Sequence, residues 1–431
     1  MAIWSTSAND EGFNSRLHEI CFKTNLDYDN KLLPWDIIAL ISHGRMLEKC
    51  KLITSADAKL IEIHLQEMKI EALEGTLKML PEMEDCHSLI EDELIKRAGD
   101  AGKQLYMARS RNDQVVSATR LFGKNKLIAI KATLKDFIDE LLKFAKKYEI
   151  TPMPGYTHTQ RAMPSSIGLW ASSFAEILIN QKETIDAAIS LNDVNVLGSA
   201  AGYGTAFPID REFVTRDLGL ARTQVNSLSC QLSRGQVECQ TLQALWGTMF
   251  VINRLANDMV WMTSAEFDFF DVNKSCTTGS SIMPNKKNLD PCEIIRSRYH
   301  LFTGQISQAQ GVISNLFSGY NSDYQETKGV FMEGLTLVEE SLEAMGIIIS
   351  NTDIKEERLL SFFSKDIYAT DLVNRQVLAG KTFRDAYIEV KQSLDSVALE
   401  DPYENIKGKT HLGAPGNPGV DILIERLSDF I

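Results

Sequence analysis

The chain runs for long stretches without a proline: between Pro34 and Pro81, Pro81 and Pro152, Pro164 and Pro208, Pro208 and Pro284, and Pro291 and Pro402. Proline breaks a helix interior by removing a donor and crowding the preceding turn, so its absence leaves room for unusually long helices. Helical periodicity fills that room. Leu242, Leu245, Trp246, Met249, Phe250, Ala256, Met259 and Val260 recur at three- and four-residue steps, while Asn253, Arg254, Asn257 and Asp258 interrupt or oppose the stripe. The segment after Pro164 and the segment from about Asp113 to Tyr148 read the same way, and alternating strand patterns are scarce. The spacing predicts an all-α protein of three helical domains. Residues 1–110 form an N-terminal helical domain, 111–352 a central long-helix bundle and oligomerisation domain, and 353–431 a small C-terminal helical domain.

The stripes are wide and poor in charge for surface helices. Such helices need deep burial, either in a large monomeric core or against other subunits. Gly/Pro clusters punctuate them at 152–155, 198–208, 277–291 and 413–419, and loops of this kind are where functional groups usually sit.

Several function classes drop out. With 45 Lys plus Arg against 58 Asp plus Glu, the net charge of -13 disfavours nucleic acid and anionic lipid as partners. The cysteines at 21, 50, 86, 230, 239, 276 and 292 include no CxxC pair, which fits reduced thiols in a cytoplasmic protein. Met1-Ala2-Ile3-Trp4-Ser5 lacks the basic start and apolar core of a signal peptide, and no apolar run approaches the ~18 residues of a membrane span. There is no GxGxxG after a strand and no GxSxG. Gly380-Lys381-Thr382 lacks the earlier glycine of a phosphate loop, because Arg375 stands there. The histidines at 18, 43, 64, 87, 158, 300 and 411 have no HxH or HxxxH spacing. Neither a cofactor nor a metal is expected.

Three clusters could carry chemistry. In Arg109-Ser110-Arg111-Asn112-Asp113-Gln114 the arginines can grip carboxylates at a helix start, or Asn112 or Asp113 merely caps the helix. In Gly155-Tyr156-Thr157-His158-Thr159 a histidine in a Pro/Gly turn can exchange protons near neutral pH, or it is structural. The third cluster, Gly279-Ser280-Ser281-Ile282-Met283-Pro284-Asn285-Lys286-Lys287-Asn288, is small and polar with two lysines, otherwise a flexible surface loop. After it Asp290 and Glu293 have the spacing of a capping box, with Pro291 at the first helical position.

This third cluster resembles the signature loop of the fumarase/aspartase superfamily. The first two, with Phe207-Pro208-Ile209-Asp210-Arg211-Glu212, Tyr320-Asn321, Gln325, Lys328 and Ala369-Thr370-Asp371-Leu372, resemble the argininosuccinate lyase branch in particular. The likeness covers about residues 17 to 380. It implies β-elimination that releases fumarate from an N-substituted aspartate. By that resemblance Ser280 removes the Cβ proton, Lys286 is its electrostatic partner, and His158 acts at the leaving nitrogen with Glu293 orienting it. Arg111, Asn112, Thr157 and Asn288 would hold the succinyl carboxylates, with Ser110 and Asn25 beside them, and Tyr320, Gln325 and Lys328 the amino-acid end. The resemblance also implies a homotetramer in which three chains contribute to each site.

Some positions depart from the family pattern. Trp4-Ser5-Thr6-Ser7 replaces its usual start, Asn25 stands for a serine, Thr159 for a leucine, Met163 for a glutamine, and Gly235 follows Arg234 where an acidic residue is common. Tyr203 is bulkier than usual. These bear on the substrate's N-substituent more than on the reaction. The alternatives are a related lyase for another N-substituted aspartate, or a silent structural protein such as the family's lens crystallins.

Overall fold

The computed structural model describes Arg16, residues 26–80, Met83 and residues 85–430. Asn25 and the departures at Trp4–Ser7 lie outside the described residues. Long helices dominate, as their periodicity predicts. Helix α1 is Leu26–Lys49, with Asp27 and Asp29 in its first turn and Lys49 in its last, matching the helix dipole. Pro34 lies inside this helix rather than at its edge. Helix α2 (Ser55–Leu73) is capped by Thr54, whose side chain accepts from the Asp57 amide. Helix α3 (Cys86–Ala98) is capped by Asp85, which accepts from the Ser88 amide. Helix α4 runs 37 residues, Arg111–Lys147, about 55 Å at 1.5 Å per residue.

One segment expected to be a helix-breaking loop forms strands. Pro152–Thr157 (β1) and Gln160–Ser166 (β2) pair antiparallel. Prolines are tolerated because a two-stranded ribbon consists only of edges. Ser166 then caps α5 (Ile167–Asn180) by accepting from the Leu169 amide. The remaining long helices are α6 (Gln236–Met262), α7 (Asp290–Val312) and α8 (Glu326–Ser350). The described strands make only two-stranded sheets.

Residues group into two compact units. The first comprises the described residues through Ala129, Thr184–Leu245 and Thr303–Thr336. Its core packs Leu32, Ile37, Leu40, Leu47, Ile61 and Leu65 with Leu89, Ile90 and Val116. The second comprises Ile130–Glu183, Trp246–Phe302 and Leu337–Ile431. Within it Phe363, Ile367, Tyr368, Val373, Ala386, Val390 and Val397 form a small separate cluster. On α6, Leu242, Leu245, Met249, Ala256 and Met259 are buried, whereas Trp246 stays 42% exposed.

Candidate active site

In the first unit the start of α4 is built as a capping box. The Ser110 hydroxyl accepts from the Asn112 amide at 3.3 Å, and the Asp113 carboxylate reaches back to the Ser110 amide at 2.9 Å. Asp113 also accepts from the amides of Gly198 at 2.9 Å and Ala200 at 2.7 Å, which ties a distant Gly-rich loop to this corner. Burial pushes its carboxyl up to about 6, against the pull of those three donors. The capping reading of this cluster is thus met by Ser110 and Asp113.

The two arginines divide the work. Arg109 turns back, donating to Leu105 O at 3.0 Å and to Gln114 Oε1 at 2.6 Å, with its guanidinium 4.5 Å over the Tyr106 ring. Arg111 points the other way, to Asp85 at 3.3 Å, and borders a cavity of about 280 Å³. Asn112, Tyr320, Gln325 and Lys328 line the same cavity. Five candidates from two distant stretches of sequence thus converge. Ser110 serves the cap.

The cavity has further walls the sequence reading did not single out: Asp85, His87, Val115, Arg234 and Ser322. Arg234 is buried, donates to Gln325 Oε1 at 3.3 Å, and lies over the rings of Tyr320 at 5.5 Å and Tyr324 at 5.7 Å. Gln325 in turn donates to the Tyr320 hydroxyl at 3.3 Å. The departure at Gly235 is explained here. Its φ is +75°, and a Cβ would lie 2.4 Å from Ile313 Cγ2, so a side chain here would strain the turn after Arg234 and push Ile313 aside.

Lys328 is buried and ion-paired with Asp29 of α1. Arg111 is paired with Asp85 and Lys328 with Asp29, which leaves Arg234 as the positive charge in excess of these pairs. Arginine and lysine side chains in such an enclosure are suited to holding carboxylates. Behind it, Asp36, Cys86 and His87 bring three potential metal-ligand atoms within 4.8 Å of one another. The nearest pair, His87 Nδ1 and Asp36 Oδ2 at 2.6 Å, is a hydrogen bond.

In the second unit the remaining candidates sit on exposed turns. Thr157 pairs with Gln160, leaving His158 and Thr159 as the two hairpin residues with φ of +53° and +63°. Two consecutive positive φ values define the turn type that matches strand twist. They are costly for side chains other than Gly, Asn or Asp. The turn projects His158 and Thr157 into solvent.

The signature loop is closed at its base by backbone bonds between Thr278 and Asn288, at 3.0 and 2.8 Å. The Ser280 hydroxyl oxygen accepts from the amides of Ile282 at 3.3 Å and Met283 at 3.1 Å. Those are the N–H dipoles a serine alkoxide needs. Asn288 donates to Gly279 O at 3.4 Å, and Lys287 pairs with Asp271 at 3.0 Å. Lys286 has no side-chain partner among the described residues.

The expected capping box at 290–293 does not form. The Asp290 carboxylate accepts from the Thr278 hydroxyl instead, and the Glu293 amide bonds Leu289 O at 3.4 Å. Glu293 is left exposed on the first turn of α7. Among the described residues no hydrogen bond joins His158 to Glu293 or Ser280 to Lys286. A larger cavity of about 450 Å³ in this unit has mixed walls, with Trp261, Phe267, Phe269 and Tyr156 on one hand and Thr159, Arg254, Asn257 and Asp258 on the other.

The family model described as Lyase matches residues 22–300. The argininosuccinate lyase of Sorangium cellulosum is 37% identical over 399 residues, covering 93% of this chain and 93% of its own. That of Thermotoga neapolitana is 35% identical over 368 residues, covering 85% and 92%. Among solved structures, EDDS lyase in complex with formate shares the fold with a TM-score of 0.79 at 19% identity, over 93% of this chain and 87% of that one. A fumarate lyase from Mesorhizobium sp. BNC1 does so with a TM-score of 0.71 at 17% identity, over 93% and 91%. Matched in this way along most of its length, the chain belongs to the argininosuccinate lyase family of carbon–nitrogen lyases, within the fumarase/aspartase superfamily.

Proposed function

We propose that the protein cleaves argininosuccinate reversibly into arginine and fumarate. The observation that carries this reading is the cationic cavity of the first unit, where Arg111 and Asn112 meet Tyr320, Gln325 and Lys328. Groups suited to a succinyl dicarboxylate and groups suited to an amino-acid end share one enclosure. Ser280 removes the proton from the carbon beside the carboxylate, and the Ile282 and Met283 amides stabilise its alkoxide. Lys286, Asn288 and Thr157 offset the charge that gathers on the carboxylate as the carbanion forms. The electron pair then expels the nitrogen as the C–N bond breaks, and His158, oriented by Glu293, supplies its proton.

The exposed turns of the second unit need further surfaces to complete them. A homotetramer in the cytoplasm, with three chains contributing to each site, supplies these. Exposed Trp246 and Trp261 on α6 and Ile294 and Leu301 on α7 support that assembly. Its frame would be the three-domain division at residues 110 and 352.

The test is absorbance at 240 nm with purified protein and argininosuccinate. Fumarate appearing in step with arginine is the expected outcome. Silence with argininosuccinate, but adduct formation between fumarate and another amine, would move the assignment to a related lyase.

A further inference from the structure

Glu238 has no part in the reaction as laid out above, yet its burial needs a reason. It stands on the first turn of α6, four residues after Arg234. The backbone there is tightly bonded, with the Val237 amide donating to Ser233 O at 3.2 Å and the Cys239 amide to Gly235 O at 2.9 Å. Against the same turn lies Arg120 of α4, also buried. Its Nη2 donates to Ser233 O at 3.2 Å and to Ser233 Oγ at 3.0 Å. Two guanidiniums and one carboxylate are thus gathered about a single turn. Of the three, Arg234 lines the cavity of about 280 Å³.

Each of them carries sealed polar atoms with no hydrogen-bond partner among the described residues: Nε and Nη1 of Arg120, Nη1 of Arg234 and Oε2 of Glu238. A buried charge is costly unless another charge offsets it. The interior screens little, so a carboxylate acts on such neighbours without touching them. Burial lowers the pKa of both arginines, and the charge of Glu238 opposes the fall in each, at Arg234 together with Tyr320.

We propose that Glu238 is a positioning residue for substrate binding, the one carboxylate that Arg120 and Arg234 share. Its charge keeps the Arg234 guanidinium seated over the Tyr320 and Tyr324 rings, ready to meet a carboxylate of the substrate. The assignment rests on the lyase reading above and extends it to a residue behind the cavity wall. Without that carboxylate the two guanidiniums repel each other. Arg120 is enclosed and bonded to Ser233, whereas Arg234 has open space beside it, so Arg234 is the one that shifts.

Steady-state cleavage of argininosuccinate by the full chain is the test. Glu238→Gln keeps the shape and removes the charge. KM should rise about five- to fiftyfold, the range of coupling between charged neighbours, with kcat within about threefold. Adding Arg120→Met to Glu238→Gln returns the net charge of this corner to that of the wild type. KM of the double variant should then fall back to within about threefold of wild type. A merely structural role would lower stability in both variants and leave KM alone. A wild-type KM in Glu238→Gln, a fall in kcat at constant KM, or a double variant with KM no better than Glu238→Gln would overturn the proposal. If Glu238→Gln does not fold, the double variant decides alone: it folds and binds nearly as the wild type does, or the proposal is wrong. A wild type that makes no fumarate would break the lyase reading and this one with it. An active wild type whose KM ignores Glu238→Gln would break only the assignment of Glu238.

Discussion

The cavity of the first unit and the turns of the second are built on opposite plans. Around the cavity the charged groups are fixed by others: Arg111 by Asp85, Arg234 by Gln325 and the flanking tyrosine rings, Lys328 by Asp29, His87 by Asp36. On the turns, His158 stands on a two-residue hairpin loop and Glu293 on an open helix face, while Lys286 lacks a side-chain partner among the described residues. Ser280 is the exception, with two amides already aimed at its oxygen. A preformed, rigid region suits binding, since little ordering entropy is left to lose. Exposed reacting groups suit a site finished by other surfaces. On the proposed function, the contrast makes binding and chemistry separate structural tasks in this chain, which should fail separately.

The largest separation should come from Ser280→Ala. Fumarate release should fall by roughly 10⁴-fold, the upper end for a general base, while argininosuccinate still raises the melting temperature as it does in the wild type. Substantial residual turnover would remove Ser280 from the role of base. His158→Asn should slow kcat by ~10²–10⁴-fold. Asn tolerates positive φ, so the hairpin survives and the loss reports chemistry rather than folding. A change below tenfold would mean that His158 only positions the substrate.

On the binding side, Arg111→Gln should raise KM by about ten- to hundredfold with a smaller effect on kcat. An equal fall in kcat at unchanged KM would erase the division of labour. Gly235→Ala should cost about 1–3 kcal/mol in urea unfolding, from positive φ and the close approach to Ile313. It should also raise KM by disturbing Arg234. A variant of wild-type stability would contradict the reason given for this glycine.

The smallest effect is a pH dependence in which two buried groups of the first unit oppose each other. His43, buried against Met107 O, is lowered to about 4 by burial and by Arg109. As pH falls from 6.5 towards 4 the unfolded chain takes this proton first, and about 3 kcal/mol of stability is lost. Asp113, raised to about 6, does the reverse: the folded state protonates first, and a similar amount is gained between pH 6 and 3.8. Their sum should be nearly flat across that window. Asp113→Asn should expose the loss from His43 as a falling urea midpoint. An equally flat variant would contradict one of the two shifts.

Much of the helical frame was legible. A helix expected from about Asp113 to Tyr148 runs Arg111–Lys147, because apolar period and the lack of proline are local signals. The stripe of α6 was legible too. The hairpin at 152–166 was not, since its prolines and glycine imitate a loop and its pairing depends on the turn at His158–Thr159. The cap at 290–293 failed because Thr278, twelve residues away, competes for Asp290. Five cavity residues were found by motif, but Asp85, His87, Ser322 and Arg234 were not. Their signal is packing between distant segments, and Asp85 had an ordinary capping role to explain it.

The central claim, that the cavity and the reacting turns are halves of one site supplied by different subunits, can be tested by mixing two proteins, each impaired in one half, and assaying them with argininosuccinate far below the raised KM of Arg111→Gln, where both are nearly silent. Ser280→Ala and Arg111→Gln are unfolded together, refolded, and assayed for fumarate at 240 nm. If the halves come from different chains, some sites in mixed oligomers carry both native residues, and activity returns well above that of either variant refolded alone. If refolded mixtures of proven mixed composition stay as inactive as the separate variants, both residues belong to one chain's site and the account of a shared site is wrong.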